Sequence, residues 1–294
     1  MQINDIRKSK AFVSKRTRTM ALLISIVLPC LLLAFSYFMN ARPMLNTKDE
    51  WSILDFFVQN ADLIFAVVFL AVSAVPFYLV FDKKRAQARD LVPIALMSAL
   101  SIVGRAAFAI VPLPNFKPVT AIVIITAVAF GPEAGYLTGS LTGFLSNFLF
   151  GQGPWTPWQM FTWGMIGFLA GLFYKTGVFG NVGQEKADEF GKRKHPKRLC
   201  VFGFLGGFFY GWIMNLYHLI GYVNPITWQS FFATYASSIF YDMSHGICTA
   251  LVLWFAAEPW VRKLLRVKIK FGLDGENVFY VMPPSNVTVR NDEN

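Results

Sequence analysis

The chain has 294 residues, 55 % of them hydrophobic and only 15 % charged, with a formal net charge of +10. Soluble domains are about one quarter charged, so the composition excludes an ordinary soluble protein and points to an all-α polytopic membrane protein. The basic excess would suit a nucleic-acid binder, but its placement along the chain argues for topology instead.

Crossing a hydrocarbon core of ~30 Å takes roughly 20 apolar residues. In chain order, such runs are expected near 20–38, 63–81, 91–111, 119–130, 134–150, 158–174, 201–222 and 232–257. The fourth and fifth are short, and are expected to be tilted or buried by their neighbours. All but four of the 27 Lys and Arg residues fall in the leading segment, the loops after spans two and six, and the tail. Eight spans put those four segments on one side. Arg42 and Lys48 lie opposite, and Arg105 and Lys117 lie in or beside spans. Positive loops stay cytoplasmic, so both termini are expected inside and no nucleic-acid partner is expected. Three units follow: a basic N-terminal segment with two extra spans (1–90), a six-span core (91–260) and a cytoplasmic tail (261–294). Cys30, Cys200 and Cys248 have no ligand spacing, so neither a disulfide framework nor a metal site is expected.

Lipid provides no hydrophobic drive between helices, so small residues must let backbones approach. Gly131, Gly135, Gly139 and Gly143 recur at every fourth position. Gly167 with Gly171, and Gly203, Gly207 and Gly211, repeat the pattern. Each set should form a packing stripe along one helix face. In the third span, Ala95, Ala99 and Ala106 share a narrow face, and Arg105 points roughly 100° away from it.

Ionisable groups inside spans line cavities or pair with each other. Arg105, Asn147, Gln159, Asn215, His218, Asp242 and His245 all fall near the outer ends of their spans under the expected topology. An outward-opening polar cup follows. The stretch Gly151–Met160, GQGPWTPWQM, carries no charge, two prolines and two tryptophans. Its stiff, flat side chains suit the wall or lid of such a cup. The substrate-binding candidates are Arg105, Lys117, Asn147, Gln152, Trp155, Trp158, Gln159, Asn215, His218, Trp228 and Asp242. An Arg105–Asp242 ion pair is the structural alternative for those two residues. No phosphate loop, metal-binding histidine pair or nucleophile elbow is present. No catalytic residue, cofactor or enzymatic activity is therefore expected of this chain.

From about residue 91 to 272 the sequence resembles the substrate-binding S component of energy-coupling factor (ECF) vitamin transporters. The resemblance rests on IALMSALSIVGR with its Ala-x-x-x-Ala spacing, on the long run from Phe116 to Met160, and on VRKLLRVKIKFGL. It implies a six-helix core and a multi-pass protein of the bacterial cell membrane. It also implies a vitamin-like solute, a transmembrane coupling subunit and two cytoplasmic ATPases that supply the energy. By that resemblance Ala95 and Ala99 contact the coupling subunit. Within the family the sequence is most similar to the cobalamin type, while a flavin or another heterocycle also suits the stacking surfaces. The resemblance leaves 1–90 uncovered. A stand-alone secondary transporter is the alternative reading.

Overall fold

The computed structural model describes residues 88–184, 195–223 and 225–271, residue 273, and isolated positions between 27 and 72. Six α-helices follow one another from residue 88 onward. They are α1 (Ala88–Ala107), α2 (Val119–Phe130), α3 (Pro132–Phe150), α4 (Thr156–Lys175), α5 (Lys197–Tyr222) and α6 (Trp228–Phe271), and no strand occurs among the described residues. Three of these segments, Leu91–Ile110, α5 and α6, are long and apolar enough to cross a membrane, and α2 is a shorter apolar helix. The six helices thus form an all-α bundle of a polytopic membrane protein. The two extra N-terminal spans fall largely outside the described residues. Of the positions described there, Leu32 is fully buried in a cluster with Tyr136, Trp158, Phe168 and Tyr217, and Phe65 and Val72 pack on the same cluster.

The central element is α2. Every residue from Val119 to Ala129 is buried, which explains why so short a run suffices: neighbours rather than lipid cover it. Its apolar side chains join Trp163, Ile166, Tyr210 and Leu253 of α4, α5 and α6 in the main core. A 3₁₀ turn, Phe108–Ile110, ends α1. The proline-rich link that follows (Pro112, Pro114, Pro118) cannot continue a helix.

The glycine stripes work as helix contacts. A Cβ on Gly139 would stand 2.4 Å from backbone atoms of Trp163, and one on Gly167 would stand 2.4 Å from the Gly135 carbonyl oxygen. These values mark α3 and α4 as backbone-to-backbone neighbours. On α5, Gly207 meets the Gly246 backbone at 2.4 Å in the same way. Gly131 departs from the expected stripe. It has φ +107° and forms the turn between α2 and α3, a conformation that favours glycine.

The last helix overruns its expected end. Where the hydropathy pattern stops near residue 257, α6 continues to Phe271 through Pro259. At 1.5 Å per residue its 44 residues span about 66 Å, roughly twice the hydrocarbon core. The extension is held by packing and polar contacts. Val261, Leu264 and Leu265 join the main core beside Phe179 and Val182. Lys268 Nζ donates to the Ala129 carbonyl at the end of α2, where a cation complements the helix dipole. Glu258 accepts from the Gly183 N–H at 2.7 Å and from Arg262 Nη2 at 2.8 Å.

Candidate solute-binding site

At one end of the bundle α1 closes with Arg105, α2 opens with Val119 and Thr120, α3 closes with Asn147, and α4 opens with Gln159. These positions converge because the chain reverses direction at each short link. Arg105 is 8 % exposed. Its Nη1 donates to Ser146 Oγ and to Asn147 Oδ1, the latter at 2.8 Å. Asn147 Nδ2 donates in turn to Thr156 Oγ1 (2.8 Å) and Gln159 Oε1 (2.9 Å), and Gln159 Nε2 donates to Tyr210 Oη at 2.9 Å. A buried polar group is costly unless partnered. This network supplies partners across four helices, and it fixes the mouth of the bundle.

A second chain runs deeper. Trp163 Nε1–H donates to Thr120 Oγ1 at 3.1 Å, and the same oxygen lies 2.7 Å from His245 Nε2. Trp163 stacks on Tyr210 with ring centroids 5.0 Å apart at 26°, and Tyr210 meets His245 edge-on at 4.9 Å. Between the two networks lies a cavity of about 50 Å³, inside a mouth region of about 320 Å³ that includes open solvent. Arg105, Asn115, Lys117, Val119, Gln159, Trp163, Tyr210 and His245 line it. Drug-sized ligands occupy roughly 300–1,000 Å³. A solute of that size would therefore sit in the mouth and push its walls apart. Phe150 lies over the mouth, with Arg105 4.5 Å and Lys117 5.3 Å from its ring centroid. Asn115 has φ +54°, a backbone state uncommon outside glycine and most tolerated by asparagine and aspartate.

The structure brings together Arg105, Lys117 and Gln159 at the cavity, with Asn147 one hydrogen bond behind. The other expected residues lie elsewhere. Gln152 ties the turn down, donating to the Phe144 carbonyl at 2.9 Å and accepting from Thr156. The Trp155 ring lies 2.5 Å from a Cβ built on Gly153, so that glycine makes room for it. Trp158 is buried 6.0 Å from the Tyr217 ring. GQGPWTPWQM is thus a turn plus a helix start: Gln159 faces the cavity, and the tryptophans pack behind it. Asn215 donates to Ser238, which donates to Asp242 at 3.0 Å. His218 is exposed and stacks on Tyr222, and Trp228 is 75 % exposed. No Arg105–Asp242 pair forms: Arg105 binds neutral oxygens, and Asp242 sits over Gly211. Tyr210, Thr120, Ser146 and Asn115 went unmarked in the sequence. Tyr210 was within reach, since it lies about 60° from the glycine stripe of its own helix. Ala95 and Ala99 are exposed on α1, while Arg105 is buried.

The described residues thus form a helical bundle with membrane-spanning segments and a polar cavity at one end. Residues 85–253, more than half of the chain, match the family described as ECF-type riboflavin transporter, S component. The chain belongs to this S component family. It is 32 % identical over 89 residues to a UPF0397 protein of Vibrio atlanticus, and 33 % identical over the same length to UPF0397 proteins of Aliivibrio fischeri and Aliivibrio salmonicida. Each alignment covers 29 % of this chain and 48 % of the relative, so the chain spans about half the length of the curated relatives it matches. No solved structure matches it.

Proposed function

We propose that this chain is the substrate-capture subunit of an ECF importer, taking up a flat heterocyclic vitamin from the outer face of a bacterial membrane. The observation that carries this reading is the polar cavity at one end of the described bundle, walled by the Trp163–Tyr210 stack and closed by two hydrogen-bonded networks, in a member of the S component family. A stacked aromatic pair beside a narrow cleft suits a planar ring better than a corrin, and the matched family description supports a flavin-like ring over cobalamin. The distribution of Lys and Arg supports cytoplasmic termini, which turns the cavity end outward. ATP hydrolysis falls to two partner ATPases, and the chain itself catalyses nothing. Coupling runs through the bare face of α1, where Ala95 and Ala99 leave room for a partner helix to approach closely.

Two measurements test this. Protein purified from its own cells should release a heterocyclic vitamin detectable by mass spectrometry, and bind it without ATP. Ala99→Trp should leave that binding intact and lower uptake by at least ten-fold. Uptake that survives deletion of every ECF ATPase and collapses with an ionophore would identify a stand-alone secondary transporter instead.

A further inference from the structure

We infer that the captured molecule carries an oxyanion, a carboxylate or phosphate, seated between Arg105 and Lys117; this rests on the capture reading above and specifies its ligand. The argument starts from charge. Among the described residues two cations line the cavity and no carboxylate does. Among the described residues neither cation makes an ion pair: the paired acids are Glu133 with Lys175 and Glu258 with Arg262. Asp242, the remaining buried acid, accepts from Ser238. Arg105 is nine-tenths buried yet compensated only by neutral oxygens and by the Phe150 and Trp163 rings. Lys117 approaches the same Phe150 ring. Two like charges sharing one low-dielectric site repel, and an anion bound between them removes that repulsion.

Hydrogen-bond bookkeeping points the same way. Arginine has five N–H groups; Arg105 commits two, to Ser146 and Asn147. Tyr210 accepts from Gln159, which leaves its own O–H to donate. Thr120 accepts from Trp163 and shares one proton with His245 Nε2, so neither group is free for a ligand at those atoms. Gln159 Oε1 is already taken by Asn147. The uncommitted groups of the wall are therefore mostly donors: three N–H of Arg105, the Lys117 ammonium and the Tyr210 hydroxyl. Asn115 alone adds an amide carbonyl. A site built of donors takes a ligand built of acceptors. Guanidinium and ammonium together select an oxyanion.

The test uses the full chain in lipid nanodiscs and two probes that differ only by a terminal phosphate group, riboflavin and riboflavin 5′-phosphate. The phosphate ester should bind at least ten-fold more tightly. Lys117→Gln should shrink that preference to less than about three-fold, and Lys117→Arg should restore it, with thermal unfolding confirming that both variants are folded. In parallel, the small molecule extracted from protein purified from its own cells should contain an acid group. Equal affinity for the two probes, a preference unchanged in Lys117→Gln, or an extracted molecule without an acid group overturns the oxyanion while leaving capture standing. If neither probe binds and nothing is extracted, the capture reading itself fails, and the oxyanion with it.

Discussion

Replacing Gly139 with alanine tests how closely α3 and α4 meet. A Cβ at that position stands 2.4 Å from the carbonyl carbon and oxygen of Trp163 and 2.6 Å from the Gly164 nitrogen. All three are backbone atoms, so no side-chain rotation relieves the contact. Reaching ordinary carbon separations of about 3.5 Å requires the helices to part by roughly 1 Å. Overpacking of this kind costs about 1–3 kcal/mol. Gly206 is the control, because a Cβ there lies 3.6 Å from Ile166 Cγ2 and 3.7 Å from Thr120 Cγ2, with no backbone nearby. Alanine there gains about 0.8–1.0 kcal/mol of helix propensity. The propensity gain applies at both sites, so at about 2–4 °C per kcal/mol Gly139→Ala should unfold about 2–12 °C below Gly206→Ala, which should itself be unchanged or slightly raised. Thermal unfolding in detergent, followed by tryptophan fluorescence, makes the comparison. Equal midpoints for the two variants would refute the backbone contact. Gly139→Ala should also weaken ligand binding, since moving Trp163 disturbs its 3.1 Å bond to Thr120.

Trp163→Phe keeps a ring against Tyr210 but removes the donor to Thr120; losing about 1 kcal/mol should lower the unfolding midpoint by about 2–4 °C, read by differential scanning calorimetry. Glu258→Ala removes the acceptor of the Gly183 N–H and of one Arg262 N–H; hydrogen bonds to charged groups contribute about 1.5–3 kcal/mol, so the midpoint should fall, and Glu258→Gln should fall less because its carbonyl still accepts. Burial, and then the nearby Arg105 charge, hold the Lys117 ammonium below the ordinary lysine range. Arg105 from α1, Tyr210 from α5 and His245 from α6 are the other charged or titratable groups of that cavity. Only the protonated lysine attracts an oxyanion, so binding of the phosphate ester should decline as pH rises through the lowered value. Lys117→Arg should push that decline to higher pH.

Much of the bundle is readable in the sequence, because lipid imposes a length and glycine spacing marks a face. The run 119–130 was delimited by its apolar residues, and α2 occupies it. The end of α6 was not readable: hydropathy stops reporting where a helix leaves lipid, and contacts from Glu258, Val261 and Lys268 carry it onward. At the site, depth was legible and direction was not. Arg105 and Gln159 could be assigned to one level from their positions in their spans. Trp158, one residue from Gln159, turns about 100° away into a different cluster. Tyr210 stayed hidden because a tyrosine in an apolar run reads as packing until its hydroxyl is seen to meet Gln159.

One rod, α1, carries both the buried guanidinium and the bare alanine patch. Six residues separate Arg105 from Ala99, a distance of about 9 Å at the helical rise, with no proline between them to bend the shaft. Under the proposed roles, a tilt imposed where the solute grips the helix reaches the docking patch undiminished. Whether the receptacle is full or empty would then be felt by the coupling partner as a change in the angle of a lever it already holds.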